Sequence, residues 1–169
     1  MDLKEFLRMQ IEGMGMGLKR ATDGLTQKEI EWQPACGCNS IGLILFHIAK
    51  SEDSFIQKTL KGGAELYESG QWYTKLGLDL KEAGAHYTVD QVNAFKVPKL
   101  AKILAYQAAV RKATLAYVSK MKAADLDKVM KMPWGEMPAA MILSLVISHA
   151  SQHLGEVSYL RGLQRGMDK

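Results

Sequence analysis

The chain reads as an all-α protein, a four-helix bundle with a long irregular connection between helices two and three. Three observations predict it. Four segments of about 20 to 27 residues place apolar side chains at helical spacing. The composition favours helices over strands, with four prolines, ten methionines and many Ala, Leu and Ile. Between the second and third segments lies a single long aromatic stretch, Gly62 to Phe95, in which that periodicity is lost.

The first helix is predicted over Asp2 to Thr22, with Leu3, Phe6, Leu7, Gln10, Ile11, Met14 and Leu18 along one face. Gly13, Gly15 and Gly17 weaken it by about 1 kcal/mol each relative to Ala, and are read as marks of close approach to a neighbouring helix. "DGLT" then ends the pattern, and a loop runs through Trp32, Pro34 and Cys36-Gly37-Cys38. The second helix opens at Asn39 or Ser40, either of which can accept from first-turn amides. Ile41, Ile44, Leu45, Ile48 and Phe55 make its apolar stripe, and Gly62-Gly63 ends it.

In the connection that follows, only Val89 to Ala94 reads as a short helical turn. The third helix is expected from Pro98 to about Ala124, burying Leu100, Ile103, Leu104, Gln107, Val110, Thr114, Leu115 and Val118. "DLDKVMKMPWGEMP" reads as a plain connection, and the fourth helix runs from Pro138 to about Leu163, with Gly166 just beyond. No repeat or interdomain linker appears, so residues 1–169 are read as one domain.

The composition also excludes function classes. A net charge of +4 is too small to argue for nucleic acid. The longest apolar run, Met137 to Ile147, falls well short of the roughly 20 residues of a membrane span. The charged N-terminal segment lacks the apolar core of a signal peptide, and two cysteines cannot build a disulfide framework. The expectation is a cytoplasmic protein with neither nucleic acid nor membrane as partner.

Chemistry concentrates in "SHASQHLGEV" of the fourth helix. His149 and His153 stand four residues apart, offset by only about 40° around the helix, so both imidazoles point toward the core. Each neutral imidazole carries two polar nitrogens that cost about 1–3 kcal/mol apiece if left unpaired. One cation can satisfy a nitrogen on each ring. His47 lies at matching depth on the second helix, beside Ile44 and Ile48. Three imidazoles with an open fourth position have the composition of a catalytic zinc-type site. The competing account is three core histidines without a metal. A di-iron carboxylate site is excluded, because Val97 to Ala124 contains no Asp or Glu.

The remaining polar residues read more plainly. Glu156, one turn beyond His153, is a weak candidate to orient an imidazole or a bound water, against the commoner pairing with Lys or Arg. Arg161 and Arg165 read first as charges compensating the helix dipole, and second as a subsite for an anion. Glu52 and Asp53 are open between the same two kinds of role. His86 reads as facing solvent or a pocket mouth, and the basic residues of the third helix as a solvated face. Cys36 and Cys38 read as loop thiols outside the metal's reach, and Trp72, Tyr73, Tyr87 and Phe95 as loop packing or a pocket wall.

The wording around the histidines resembles the DinB-like superfamily. "GLTQKEIEWQPACGCNSIGLILFHIAKSEDSF" is similar to the family's entry to helix two, and "VISHASQHLGEVSYLRGLQRG" to its last helix. "AFKVPKLAKILAYQAAVRKATLAYV" and "MPWG" extend the likeness to most of the chain, except Gly62 to His86. The resemblance implies a bundle in up-down-down-up order, a homodimer, and a divalent metal, zinc or nickel, held by three histidines. The matching positions are His47, His149 and His153. It further implies a small-molecule substrate, since characterised relatives include transferases and isomerases using low-molecular-weight thiols such as bacillithiol or mycothiol. No thiol-binding motif of the family can be matched here.

The expected activity is therefore a metal-dependent thiol S-transferase or a related detoxification. Two alternatives stay open at this point, a metal- or ligand-binding stress protein without turnover and a metal-dependent hydrolase.

Overall fold

A computed structural model describes residues 2–166. Four long helices carry the core: α1 (Leu3–Thr22), α3 (Ile41–Asp53), α7 (Leu100–Lys120) and α8 (Ala139–Arg165). Between them lie α2 (Gln27–Glu31), α4 (Leu66–Ser69), α5 (Trp72–Leu76) and α6 (Val89–Ala94). A hairpin of β1 (Val129–Met132) and β2 (Gly135–Pro138) precedes α8. In the bundle, α1 and α3 each pack against both α7 and α8. The core between them includes Ile11, Ile44, Ile48, Ile103, Val110, Val146 and Val157.

Local chemistry sets the helix starts. The Asp2 carboxylate accepts from the Glu5 amide, and the Ser40 hydroxyl from the Leu43 amide. Thr26 and Glu29 cap each other's backbone amides and nucleate α2, a short helix unforeseen in the loop after "DGLT". A side chain at Gly42 would collide with Val97, so the glycine lets the segment entering α7 lie against α3. The expected second helix ends just before Gly62-Gly63, but its last part, Ser54–Leu60, is wound as a π-helix, closed by the Lys61 amide on the Ile56 carbonyl.

Several expectations are corrected. The third helix stops at Lys120 rather than Ala124, and Ala123–Asp125 forms a separate 3₁₀ turn. "DLDKVMKMPWGEMP" contains the hairpin, with Val129 opposite Pro138 and Met132 opposite Gly135, so the all-α bundle carries a small two-stranded sheet. The fourth helix extends to Arg165, where Gly166 at φ +78 ends it. At the start of α1, Leu3, Phe6 and Gln10 are exposed, Leu7 packs against the core, and the fully buried face begins at Ile11. Close packing does not explain the α1 glycines either. A Cβ at Gly13 or Gly15 would meet nothing within 4 Å, and only Gly17 approaches α8, at Leu154.

The connection from Gly62 to Phe95 is more ordered than its sequence suggests. Asp53, fully buried at the end of α3, accepts from the amides of Leu66 and Tyr67 at 2.9 and 2.8 Å. The Tyr106 hydroxyl donates to the same carboxylate at 2.7 Å. Burial lifts the Asp53 carboxyl above its ordinary range, and those three donors offset part of the rise. This anchor builds α4, and Trp72 of α5 packs its ring on Tyr106, with centroids 5.4 Å apart. Among the described residues, no helix is long and apolar enough to cross a membrane.

Candidate metal centre

The apolar stripe of α3 turns one half-buried imidazole, His47, toward α8. There the four-residue spacing stacks His149 and His153 on the facing side. The three rings meet with centroids 4.5 to 4.7 Å apart. One nitrogen from each falls within 4.8 Å of the others. The Nε2 atoms of His47 and His149 are 2.9 Å apart, near the about 3.4 Å that separates two ligands of a tetrahedral ion with metal–nitrogen bonds of about 2.1 Å.

The opposite ring nitrogens are treated unequally. His47 Nδ1 lies 2.6 Å from the Gly84 carbonyl, and His153 Nδ1 lies 2.7 Å from Glu156 Oε2. Both acceptors favour a proton on Nδ1 and a lone pair on Nε2, facing the cluster. His149 Nδ1 meets no such acceptor among the described residues, and the Phe55 ring packs edge-on to that imidazole at 6.2 Å. Burial lowers the His149 pKa to about 4, with help from the neighbouring charges of His47 and His153. Burial lowers His47 as well, partly opposed by its hydrogen bond to Gly84. Neutral imidazoles are the form that binds a metal, so the three residues fit a single divalent ion.

The cluster opens into a cavity of about 620 Å³. Leu43, Phe55, Val92, Trp134 and Leu145 supply apolar wall, while Ser51, Ser54 and the Lys50–Glu65 ion pair supply polar groups. His86 is exposed and lines the same space, at φ +55. Tyr87 also lines it, packed on Phe95, whereas Trp72 and Tyr73 pack internally against Tyr106 and Tyr67.

Other candidates are placed in structural roles. Glu52 and Asp53 are buried, and Glu52 pairs with Arg111, which leaves the otherwise solvated basic face of α7. Arg161 donates to the carbonyls of Arg20 and Ala21 at the end of α1. Arg165 binds the Glu29 carboxylate and the Gly24 carbonyl, and that pairing holds the Glu29 carboxyl well below the usual range. Cys36 is exposed and accepts from Asn93, and neither cysteine belongs to the histidine cluster. Sequence reasoning missed Gly84, Lys50, Glu65, Phe55 and Trp134 as site neighbours. Of these only Trp134 carried a signal, through "MPWG".

Comparison with known proteins agrees with this architecture. The family model of the DinB superfamily matches residues 10–157. The crystal structure of a conserved protein from Enterococcus faecalis superposes with a TM-score of 0.87 at 23% identity, covering 99% of each chain, a likeness of fold. No curated protein matches the chain significantly.

Proposed function

Because the chain belongs to the DinB superfamily, we propose that His47, His149 and His153 hold one divalent transition ion, zinc or nickel, and that the protein is a low-molecular-weight-thiol S-transferase. The observation that carries this reading is the convergence of three imidazoles at the wall of a largely apolar cavity of about 620 Å³. An ion bound there with an open position supplies Lewis acidity, lowering the pKa of a thiol placed on it.

The chain's own groups do the rest. His47 and His153 present Nε2 because their Nδ1 atoms face acceptors. Phe55, Leu145 and Trp134 limit water and give an electrophile an apolar surface. In the reaction the thiol S–H bond breaks and its proton leaves through the open mouth to solvent. Sulfur forms the new bond to the electrophilic carbon as that carbon's bond to its leaving group breaks, the leaving group carrying the electron pair out to solvent. A second copy of the chain, expected from the resemblance, would complete a homodimer.

Metal analysis followed by thiol binding tests the reading. Protein stripped with a chelator should take up about one equivalent of Zn²⁺ or Ni²⁺, and the loaded form should bind a small thiol. Loaded protein that neither binds thiols nor consumes any electrophile would remove the transferase reading and leave a binding protein or a hydrolase.

A further inference from the structure

A neutral imidazole can offer either nitrogen to a cation, and the choice is made by what the other nitrogen meets. For His47 the partner is a backbone carbonyl in a segment with no readable pattern. Gly84 O lies 2.6 Å from Nδ1, whereas the alternative partner, Ser51 Oγ, stands at 3.5 Å, too far for a good hydrogen bond. A carbonyl can only accept, so Nδ1 carries the proton and Nε2 keeps its lone pair toward His149 and His153.

Only glycine fits where that carbonyl comes from. Gly84 is buried, with φ +73. A Cβ there would lie 2.5 Å from Lys50 Cγ, 2.9 Å from Lys50 Cβ and 3.6 Å from Phe46. Lys50 has little freedom to yield, since its ammonium pairs with Glu65 and sits 4.8 Å from the Tyr67 ring centroid. The flanks of the segment are tied as well. Tyr67 donates its hydroxyl to the Asp79 carbonyl at 2.7 Å, and Thr88 caps α6. Residues 79–88 thus form a strap that crosses α3 beside the cavity and touches the candidate metal centre at Gly84.

We propose that Gly84 is a positioning residue of this centre: its carbonyl fixes the tautomer and orientation of His47, and through that bond the strap and the ion are linked. The proposal rests on the three-histidine metal reading. By linkage, the strap that prepares His47 for an ion is itself steadied when the ion binds. His86 lies two residues beyond Gly84 and lines the cavity, so the same link steadies the cavity mouth.

Three measurements test it. In metal-free wild type, ¹⁵N-resolved NMR of the histidine rings should find His47 protonated on Nδ1. Gly84→Ala should bind Zn²⁺ about 10- to 100-fold more weakly, the range seen when a metal ligand loses its hydrogen-bond partner. Gly77→Ala is the matched control. Gly77 also has positive φ, at +74, but a Cβ there meets nothing within 4 Å, so its Zn²⁺ affinity should stay within twofold of wild type. Amide exchange across residues 79–88 should slow when Zn²⁺ is added to wild type. An Nε2-protonated His47, a folded Gly84→Ala with wild-type affinity, or exchange indifferent to Zn²⁺ would each overturn the role given to Gly84. Should Gly84→Ala not fold, the two wild-type measurements decide alone. Wild type that takes up no Zn²⁺ at all would instead sink the metal reading.

Discussion

His153 Nδ1 lies 2.7 Å from the carboxylate of Glu156, three residues further along the same helix. The spacing puts a half-exposed acid directly behind an imidazole whose other nitrogen faces His47 and His149. An acid in that place holds the ring in one orientation and raises its basicity toward a cation. Glu156→Gln should therefore weaken Zn²⁺ binding by about 10-fold. Because Glu156 is at the surface, the melting temperature of the metal-free protein should hardly move. Chelator competition measures the first effect and thermal unfolding the second. Unchanged affinity would assign Glu156 to ordinary surface pairing.

His149 packs against both other rings, and burial lowers its pKa to about 4 from the 6.5 of a free imidazole. The sign of the pH effect follows. Below pH 6.5 the unfolded chain takes up a proton at this residue, but the folded chain does not until pH approaches 4. Stability that is fully present above 6.5 is therefore lost as pH falls across that window. With chelator present, the melting temperature should drop from pH 6.5 to pH 4, and His149→Leu should make the slope shallower.

Metal uptake gives the complementary readout for the same residue. His149→Ala leaves two imidazoles and should abolish stoichiometric Zn²⁺ binding at pH 7, as measured by metal analysis after gel filtration. Retention of one equivalent by the variant would mean that the ion sits elsewhere.

The long helices were legible because their signal is periodic. A buried stripe such as Ile41, Ile44, Leu45 and Ile48 writes the helix directly into the sequence. Histidines four apart on such a stripe write the half-site in the same way. The crossover was not legible, since α4 exists through Asp53 reaching two amides 13 and 14 residues ahead, a contact that no local pattern encodes. The hairpin was missed for a related reason. Val129–Met132 alternates too briefly to stand out beside helices of 20 residues or more. Gly84 was invisible because it acts through its backbone carbonyl, and any residue type has one.

For Glu52 the sequence leaves two roles open, and the fold makes it a buried structural charge. It is 3% exposed and accepts from Arg111 at 2.8 Å, Gln107 at 3.0 Å and Thr114 at 2.8 Å. Arg111 also donates to the Ile11 carbonyl, so one guanidinium joins α1, α3 and α7. Arg111→Met would leave the carboxylate buried without its cation, a loss of about 3–5 kcal/mol. Urea unfolding should show that cost. A loss under about 1 kcal/mol, the range of exposed ion pairs, would mean the pair behaves as if solvated.

Tyr106 tests how firmly the crossover is held. Its ring is fully buried, and its hydroxyl donates to the Asp53 carboxylate that also accepts the Leu66 and Tyr67 amides. Tyr106→Phe keeps the ring packing on Trp72 and removes one of the three donors. A hydrogen bond to a charged group is worth about 1.5–3 kcal/mol, so global stability should fall by that amount. The local test is whether α4 opens with the rest of the protein or before it. The Asp53 carboxylate still accepts both amides, so their exchange should keep pace with global unfolding. Hydrogen exchange at Leu66 and Tyr67 checks this, and amides that open well before global unfolding would show that α4 hangs on Tyr106 rather than on Asp53.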